Sequence, residues 1–310
     1  MIFQLLEVVI PVFIVIAAGY LATRAGLLKL EHVDGLMVFT QGFAIPCMLA
    51  RALYDLDLKA AFDPGLLTAF YAGSIVSFAL GVLGARYLFN RRPGEAVAIG
   101  FAALFSNSVL LGLAIMERAY GSQSLAPNFA IIAMHAPANY LLGITAMEFA
   151  RADGRSFPAT MIVVARSMFR NSLMIGIFIG AALNLSGLII PAPALAAVDM
   201  MSRAALPAAI FGLGGMLTRY ALRASLAEAG MVTFLSLIVH PALTYLLCLA
   251  FGLDIGLTRA AVVTAAMAPG VNAYVFANMY NRATDVAASS ILLATGASVF
   301  TAAAWLWVLG

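Results

Sequence analysis

The chain has 310 residues, of which 64% are hydrophobic and 10% are charged, and its mean hydropathy is +1.01. Soluble domains have about 25% charged residues and could not bury this much apolar surface, so the composition predicts an all-α membrane protein in a lipid bilayer. The net charge of +3 comes without a basic stripe or aromatic platform, which argues against nucleic acid as a partner.

Ten apolar segments follow one another along the chain, each close to the roughly 20 residues that a membrane helix needs. The first has no basic n-region, and Glu7 stands where a signal peptide would carry Lys or Arg. We therefore expect it to be kept as a membrane helix. The ten predicted spans are 2–22, 33–53, 64–88, 95–116, 127–149, 171–190, 195–217, 229–252, 258–279 and 286–309.

Basic residues are sorted between the connections that join these spans. The odd-numbered connections carry twelve of the 17 Lys and Arg residues, and the other side carries five. The positive-inside rule therefore predicts that the odd-numbered connections are cytoplasmic and that both termini lie outside. The longest connection, 151–170, mixes arginines with Met, Ile and Phe, a pattern typical of a short interfacial helix.

The spans divide into two groups of five, in residues 1–150 and 151–310. An odd number of spans per group gives the two groups opposite orientations, so we expect an inverted repeat, which favours alternating access. Traces of this repeat remain in residue pairs that share an offset of 161 positions. These pairs are Gly19 with Gly180, Gly26 with Gly187, and Pro46 with Pro207.

Spans four and nine both carry polar, Gly- or Pro-containing segments in their centres, which predicts broken helices at matching positions. Proline removes a backbone donor, glycine tolerates unwinding, and Asn and Ser can satisfy freed backbone groups. Two exposed helix N-termini would form a site for an anion; alternatively, the polar side chains only hold helices together. The predicted substrate-binding residues are Ser106, Asn107, Ser108, Pro269, Gly270, Val271 and Asn272.

Span five adds His135 and Asn139, which share one helix face because they are four residues apart. His135 could carry a coupling proton or simply bond to a neighbouring helix, whereas His240, before Pro241, is interpreted as structural. Proline kinks at Pro46 and the matching position of span seven could form a rigid scaffold, or could be tolerated membrane prolines.

Chemistry other than transport has little support in the sequence. Cys47 and Cys248 lie far apart in apolar runs, so neither a metal nor a cofactor is predicted. An intramembrane hydrolase using His135, His240 and Asp199 would lack every usual motif, so we predict that the chain is not an enzyme. The scarcity of carboxylates at span centres argues against cation coupling, although backbone carbonyls could still bind sodium.

Several segments resemble the auxin efflux carrier family, within the superfamily of bile acid, arsenite and riboflavin transporters. The resemblance covers nearly the whole chain, and the chain looks like a bacterial member. After Asn107 the family pattern Thr-Gly-Phe-Leu-Gly-Leu-Pro is replaced by SVLLGLA. The segments that carry the resemblance are FSNSVLLGL at 105–113, NSLMIGIFIGAALNLSGLIIP at 171–191, SRAALPAAIFGLGGML at 202–217, AAMAPGVNAYVFANMYN at 265–281 and AASSILLATGASVFTAAAW at 287–305.

The resemblance implies ten transmembrane helices with crossed, broken helices 4 and 9. It implies scaffold helices in 1–62 and 151–224, and transport helices in 63–150 and 225–310 that move as an elevator. It further implies a small organic anion as substrate, such as a dicarboxylate or an auxin-like acid, and a homodimer formed through the scaffold helices. A sodium-coupled anion symporter of the bile acid branch, and a channel or sensor, are the alternative functions.

Overall fold

The computed structural model describes residues 2–56, 62–150, 172–220 and 226–310, and the regular elements within these ranges are all helices. The interfacial helix predicted in 151–170 lies outside them. Numbered in chain order, the helices are α1 Ile2–Arg24, α2 Leu30–Tyr54, α3 Pro64–Tyr87, α4 Pro93–Leu104, α5 Ser108–Gly112 continued by Leu113–Tyr120, α6 Ala126–Ala150, α7 Ser172–Ser186, α8 Ala192–Leu217, α9 Leu226–Ala250, α10 Ile255–Ala265, α11 Val271–Tyr280 and α12 Thr284–Leu309.

Within the described ranges, 7 helices are long and apolar enough to cross a membrane: α1, α2, α3, α6, α8, α9 and α12. The helices α4, α7 and α10 are apolar but shorter. The chain is therefore a multi-pass membrane protein, and the part that the structure describes is all-helical. The sequence-based count of ten also includes α7, with 15 residues, and treats α4–α5 and α10–α11 as one interrupted span each.

Two of the long helices contain a wider π-helical turn that ends two positions before a proline. In α2 this turn covers Thr40–Ala44 and precedes Pro46, and in α9 it covers Leu235–Val239 and precedes Pro241. Proline cannot donate a backbone bond and its ring crowds the preceding turn, which a wider turn relieves. Pro207 differs, because it lies inside α8 without any change of helix type.

Two glycines permit close approaches of α1 to α8 and of α7 to α2. A Cβ on Gly19 would lie 2.0 Å from the carbonyl oxygen of Phe211, and one on Gly180 would lie 2.5 Å from that of Ala50. Any side chain at either glycine would therefore push the helices apart. The two contacts are related by the same 161-residue offset, which joins Gly19 to Gly180 and Ala50 to Phe211.

The helices α1 and α7 also end in the same way. Gly26 follows α1 with φ of 77°, and Gly187 follows α7 with φ of 64°. This left-handed conformation satisfies the last carbonyls of a helix and is accessible to glycine without a steric penalty. The offset of 161 residues joins these two glycines as well.

Ion pairs join α2 to α8 at both ends of these antiparallel helices. Asp34 lies 2.6 Å from Arg219, just after α8, and Arg51 lies 2.9 Å from Asp199 near the start of α8. All four side chains are partly exposed, so each pair contributes at most about 1 kcal/mol to stability. The pairs fix the register of the two helices.

A separate set of contacts holds the α3–α4 connection against α9. Arg91 lies 2.7 Å from Glu228, and this hydrogen bond raises the pKa of the Arg91 guanidinium above its ordinary value. Further along α9, the Leu237 carbonyl accepts a 2.8 Å hydrogen bond from the indole of Trp305 in α12. These contacts make α3, α4, α9 and α12 a packed group.

Candidate functional site

Two interrupted helices meet at the centre of the site. The chain unwinds between α4 and α5, and again between α10 and α11, at the segments where the sequence predicts breaks. The extended segments pair antiparallel: the Asn107 amide donates to the Ala268 carbonyl, and the Gly270 amide donates to that of Phe105, both at 2.8 Å. Backbone groups inside a bilayer need such internal partners, because no water is there to supply them.

Ser106 and Pro269 face each other across this pairing. The two hydrogen bonds are made by their chain neighbours, so the position is a non-hydrogen-bonded pair of an antiparallel ladder. Proline fits there because the amide that it lacks would have no partner in the ladder.

The two helices that begin at the crossing have different N-termini. The side chain of Asn107 caps α5, since its Oδ1 accepts a 3.3 Å hydrogen bond from the Leu110 amide. Gly270 precedes α11 and provides no side-chain cap. The first amides of α11, from Val271 and Asn272, therefore remain available to a ligand, and they lie at the positive end of the helix dipole.

His135 and Asn139 support the crossing from α6. The Nε2 atom of His135 lies 3.1 Å from the Ser106 carbonyl oxygen, and the Asn139 amide nitrogen lies 3.3 Å from His135 Nδ1. The carbonyl requires a proton on Nε2, whereas the Asn139 amide nitrogen lies 3.3 Å from both ring nitrogens and does not distinguish between them. Both side chains are buried.

A cavity of about 740 Å³ begins at the crossing and continues between the helices. Asn139 and Pro269 are buried behind its wall, and Pro46 and Pro207 are not part of its lining. The predicted residues that line it are Ser106, Asn107, Ser108, His135, Gly270, Val271 and Asn272.

The Ser106 hydroxyl is a free polar group in this wall. Ser106 is 3% exposed, and its Oγ has no hydrogen-bond partner within the described part of the chain. A buried hydroxyl without a partner is costly, so its presence points to a ligand or water that completes it.

The opposite wall comes from α2, α7 and α8, and sequence reasoning missed it. Gln41 of α2 provides an amide there, and its place in the centre of an apolar span is a signal that could have found it. The apolar members give no such signal, because they look like ordinary lipid-facing or packing residues. They are Met37, Val38, Ile45, Leu173, Met174, Ile177 and Met216.

The cavity extends from the crossing to helix ends that adjoin odd-numbered connections. Asp34 lies near the start of α2, Ser172 begins α7, and Met216 is close to the end of α8. Among the lining residues within the described ranges, Asp34 is the one with a carboxylate, and it is paired with Arg219.

Interrupted helices that cross inside an apolar, multi-pass bundle, at the end of a deep cavity, are typical of membrane transport proteins. The chain belongs to the family described as "Membrane transport protein", whose model matches residues 4–306. Membership of a transporter family, predicted from the quoted segments, is confirmed.

The chain is similar to named relatives along almost its entire length. A "Putative malonate transporter" of Rhizobium meliloti (strain 1021) is 25% identical over 308 residues, which cover 99% of this chain and 96% of the relative. An "Uncharacterized transporter" of Methanothermobacter thermautotrophicus is 26% identical over 314 residues, which cover 98% of both chains. The family and these names indicate a transport protein and not an enzyme.

Proposed function

We propose that this protein is a secondary transporter that moves a small organic anion across the membrane by elevator-type alternating access. The observation that carries the proposal is the crossing of two broken helices at the end of the cavity, with the uncapped α11 N-terminus and the free Ser106 hydroxyl beside it. The name of the R. meliloti relative supports an organic anion such as malonate.

The anion would bind through neutral donors and helix ends. Each helix N-terminus is equivalent to about half a positive elementary charge, and the two ends that meet here point toward the same cavity. The Val271 and Asn272 amides, the Ser106 hydroxyl and the Asn107 amide group are the proposed ligands of a carboxylate. Hydrogen bonds of this kind to a charged group contribute about 1.5–3 kcal/mol each.

An inverted repeat of residues 1–150 and 151–310, with ten spans in all, is part of the proposal. One structural observation supports it. The Gly19–Phe211 and Gly180–Ala50 contacts exchange under one sequence offset.

Division into a scaffold (1–62 and 151–224) and a transport unit (63–150 and 225–310) follows from the same proposal. The ion pairs of Arg51 and Arg219 lie within the scaffold, and the Arg91–Glu228 pair lies within the transport unit. A hydrogen bond of 3.2 Å from Arg118 in α5 to the Val8 carbonyl in α1 joins the two units. A homodimer through the scaffold helices remains a prediction.

The orientation of the cavity follows if the basic connections are cytoplasmic. The cavity ends near odd-numbered connections, so the structure would represent an inward-facing state in the bacterial inner membrane, with both termini outside.

Uptake of labelled malonate into liposomes that contain the purified protein tests the proposal. We expect Asn107→Ala to reduce uptake efficiency about tenfold, because one hydrogen bond to the anion and the α5 cap are lost. Asn278→Ala, at an exposed position of α11, is the matched control and should leave uptake unchanged. Equal uptake by both variants and the unmodified protein would contradict the proposed site. A separate uptake assay with sodium replaced by choline tests the alternative function, because a sodium-coupled symporter would lose uptake in choline.

A further inference from the structure

We propose that the transported species carries a single negative charge, so that a dicarboxylate is carried in its singly protonated form. This inference rests on the proposed function and specifies the ionic state of the substrate that the same site accepts.

The charges around the cavity support one negative charge and not two. None of the described residues that line the cavity is Lys or Arg. Among the described residues, the positive potential at the crossing therefore comes from the two helix N-termini, which together supply about one elementary charge. Asp34, at the mouth of the cavity, is negative and is already paired with Arg219, so this pair offers no net positive charge.

The remaining titratable group in the described wall gives no further positive charge. His135 of α6 lies beside the crossing with its Nε2 atom 3.1 Å from the Ser106 carbonyl oxygen, and its burial without a carboxylate among its described contacts disfavours the charged imidazolium form. The lining residues described in α7, α8 and α11 are not ionisable. A dianion in this cavity would therefore keep one uncompensated charge in a low-dielectric environment, where an ionisable group takes up a proton instead.

The protonated carboxyl group also has an acceptor in the cavity. Gln41 lies in the wall that faces the crossing, and its amide oxygen could accept a hydrogen bond from the carboxylic acid. The proton comes from water on the side of uptake, travels as the O–H bond of the substrate, and returns to water when the acid ionises on the other side. No redox step or additional reactant is required.

The test compares malonate with its monomethyl ester, which is a monoanion at every pH used. Both are offered to liposomes containing the unmodified protein, with the membrane potential clamped by potassium and valinomycin. Malonate uptake should fall about tenfold per pH unit above the second carboxyl pKa, as the monoanion fraction falls, while ester uptake stays constant. Malonate, but not the ester, should also acidify a neutral lumen.

The outcomes separate the two claims. Malonate uptake that rises with the dianion fraction, without uptake of the ester, would overturn the single-charge inference but keep the transport proposal. Uptake of neither compound above that of protein-free liposomes would overturn the proposed function, and the inference with it.

A matched pair of variants tests whether the charge balance inside the cavity selects the ionic state of the substrate. Gln41→Arg adds a cation to the wall, so it should favour the malonate dianion and reduce the fall of uptake at high pH. Gln123→Arg, in the turn Ser122–Leu125 outside this cavity, adds the same charge and should behave like the unmodified protein. Equal pH profiles for the two folded variants would contradict the inference, and the ester comparison decides it if Gln41→Arg does not fold.

Discussion

Ser106 contributes to the crossing with its backbone and leaves its side chain free. Its carbonyl oxygen accepts hydrogen bonds from His135 Nε2 and from the Ser108 amide, whereas its Oγ is buried without a partner in the described part of the chain. The backbone of this residue is therefore structural, whereas its hydroxyl is one of the proposed ligands of the anion.

Removal of the Ser106 hydroxyl should separate stability from binding. We expect Ser106→Ala to keep the unfolding temperature in detergent, because no intramolecular bond is lost, and to raise the half-saturation concentration for malonate about tenfold. Ser290→Ala is the control, since that hydroxyl is buried and bonded to the Val286 carbonyl within α12. An unchanged half-saturation concentration in Ser106→Ala would show that the hydroxyl does not contact the anion.

The sequence identifies the candidate site residues, but it does not identify the atoms that these residues contact in the fold. Polar and helix-breaking residues in spans four and nine mark Ser106, Asn107 and Asn272 as candidates. The proton on His135 Nε2 is fixed by a carbonyl 29 residues away, and local sequence holds no information about that contact. The apolar wall was missed because the same residue types also face lipid.

At the scale of helices, the two close contacts at glycine predict that the repeat-related variants lose stability to a similar extent. Gly19→Ala and Gly180→Ala should each destabilise the protein by about 1–3 kcal/mol, because the new methyl group would overlap a backbone carbonyl of the neighbouring helix. Thermal unfolding in detergent measures both effects.

A glycine without close neighbours provides the control for this pair. Gly230 lies in α9 with no heavy atom within 4 Å of a built Cβ, so Gly230→Ala should be neutral or slightly stabilising through helix propensity. A similar loss of stability in all three variants would show that the loss does not come from the two close helix contacts.

The helix boundaries were largely predictable, but their internal irregularities were not. Runs of apolar residues located the long helices, and polar residues together with Gly or Pro located the interruptions. The π-helical turns before Pro46 and Pro241 were not expected, and Pro207, at the position that matches Pro46, has none. Proline has several ways of fitting into a helix, and the neighbouring helices select among them.

For the whole molecule, the elevator proposal makes the Arg118–Val8 hydrogen bond significant, because movement of one unit past the other would have to break it. Arg118→Gln should raise the maximal uptake rate up to about fivefold, since an exposed charged contact contributes at most about 1 kcal/mol. Time courses at saturating malonate measure this rate.

An arginine whose contact stays within the scaffold provides the comparison. Arg203 donates to the Asp199 carbonyl inside α8, so Arg203→Gln should leave the rate unchanged. Equal rates in the two variants would argue that the Arg118 contact does not limit the movement.

The backbone pairing of the two interrupted helices also has a consequence for biogenesis. The ribosome delivers α4 and α5 to the bilayer well before Ala268 exists, so the Asn107 amide enters lipid without its eventual acceptor. The nascent N-terminal half must therefore be sheltered by the insertion machinery until the C-terminal half arrives. Cells that express residues 1–150 alone should degrade that fragment quickly, and co-expression of residues 151–310 should protect it.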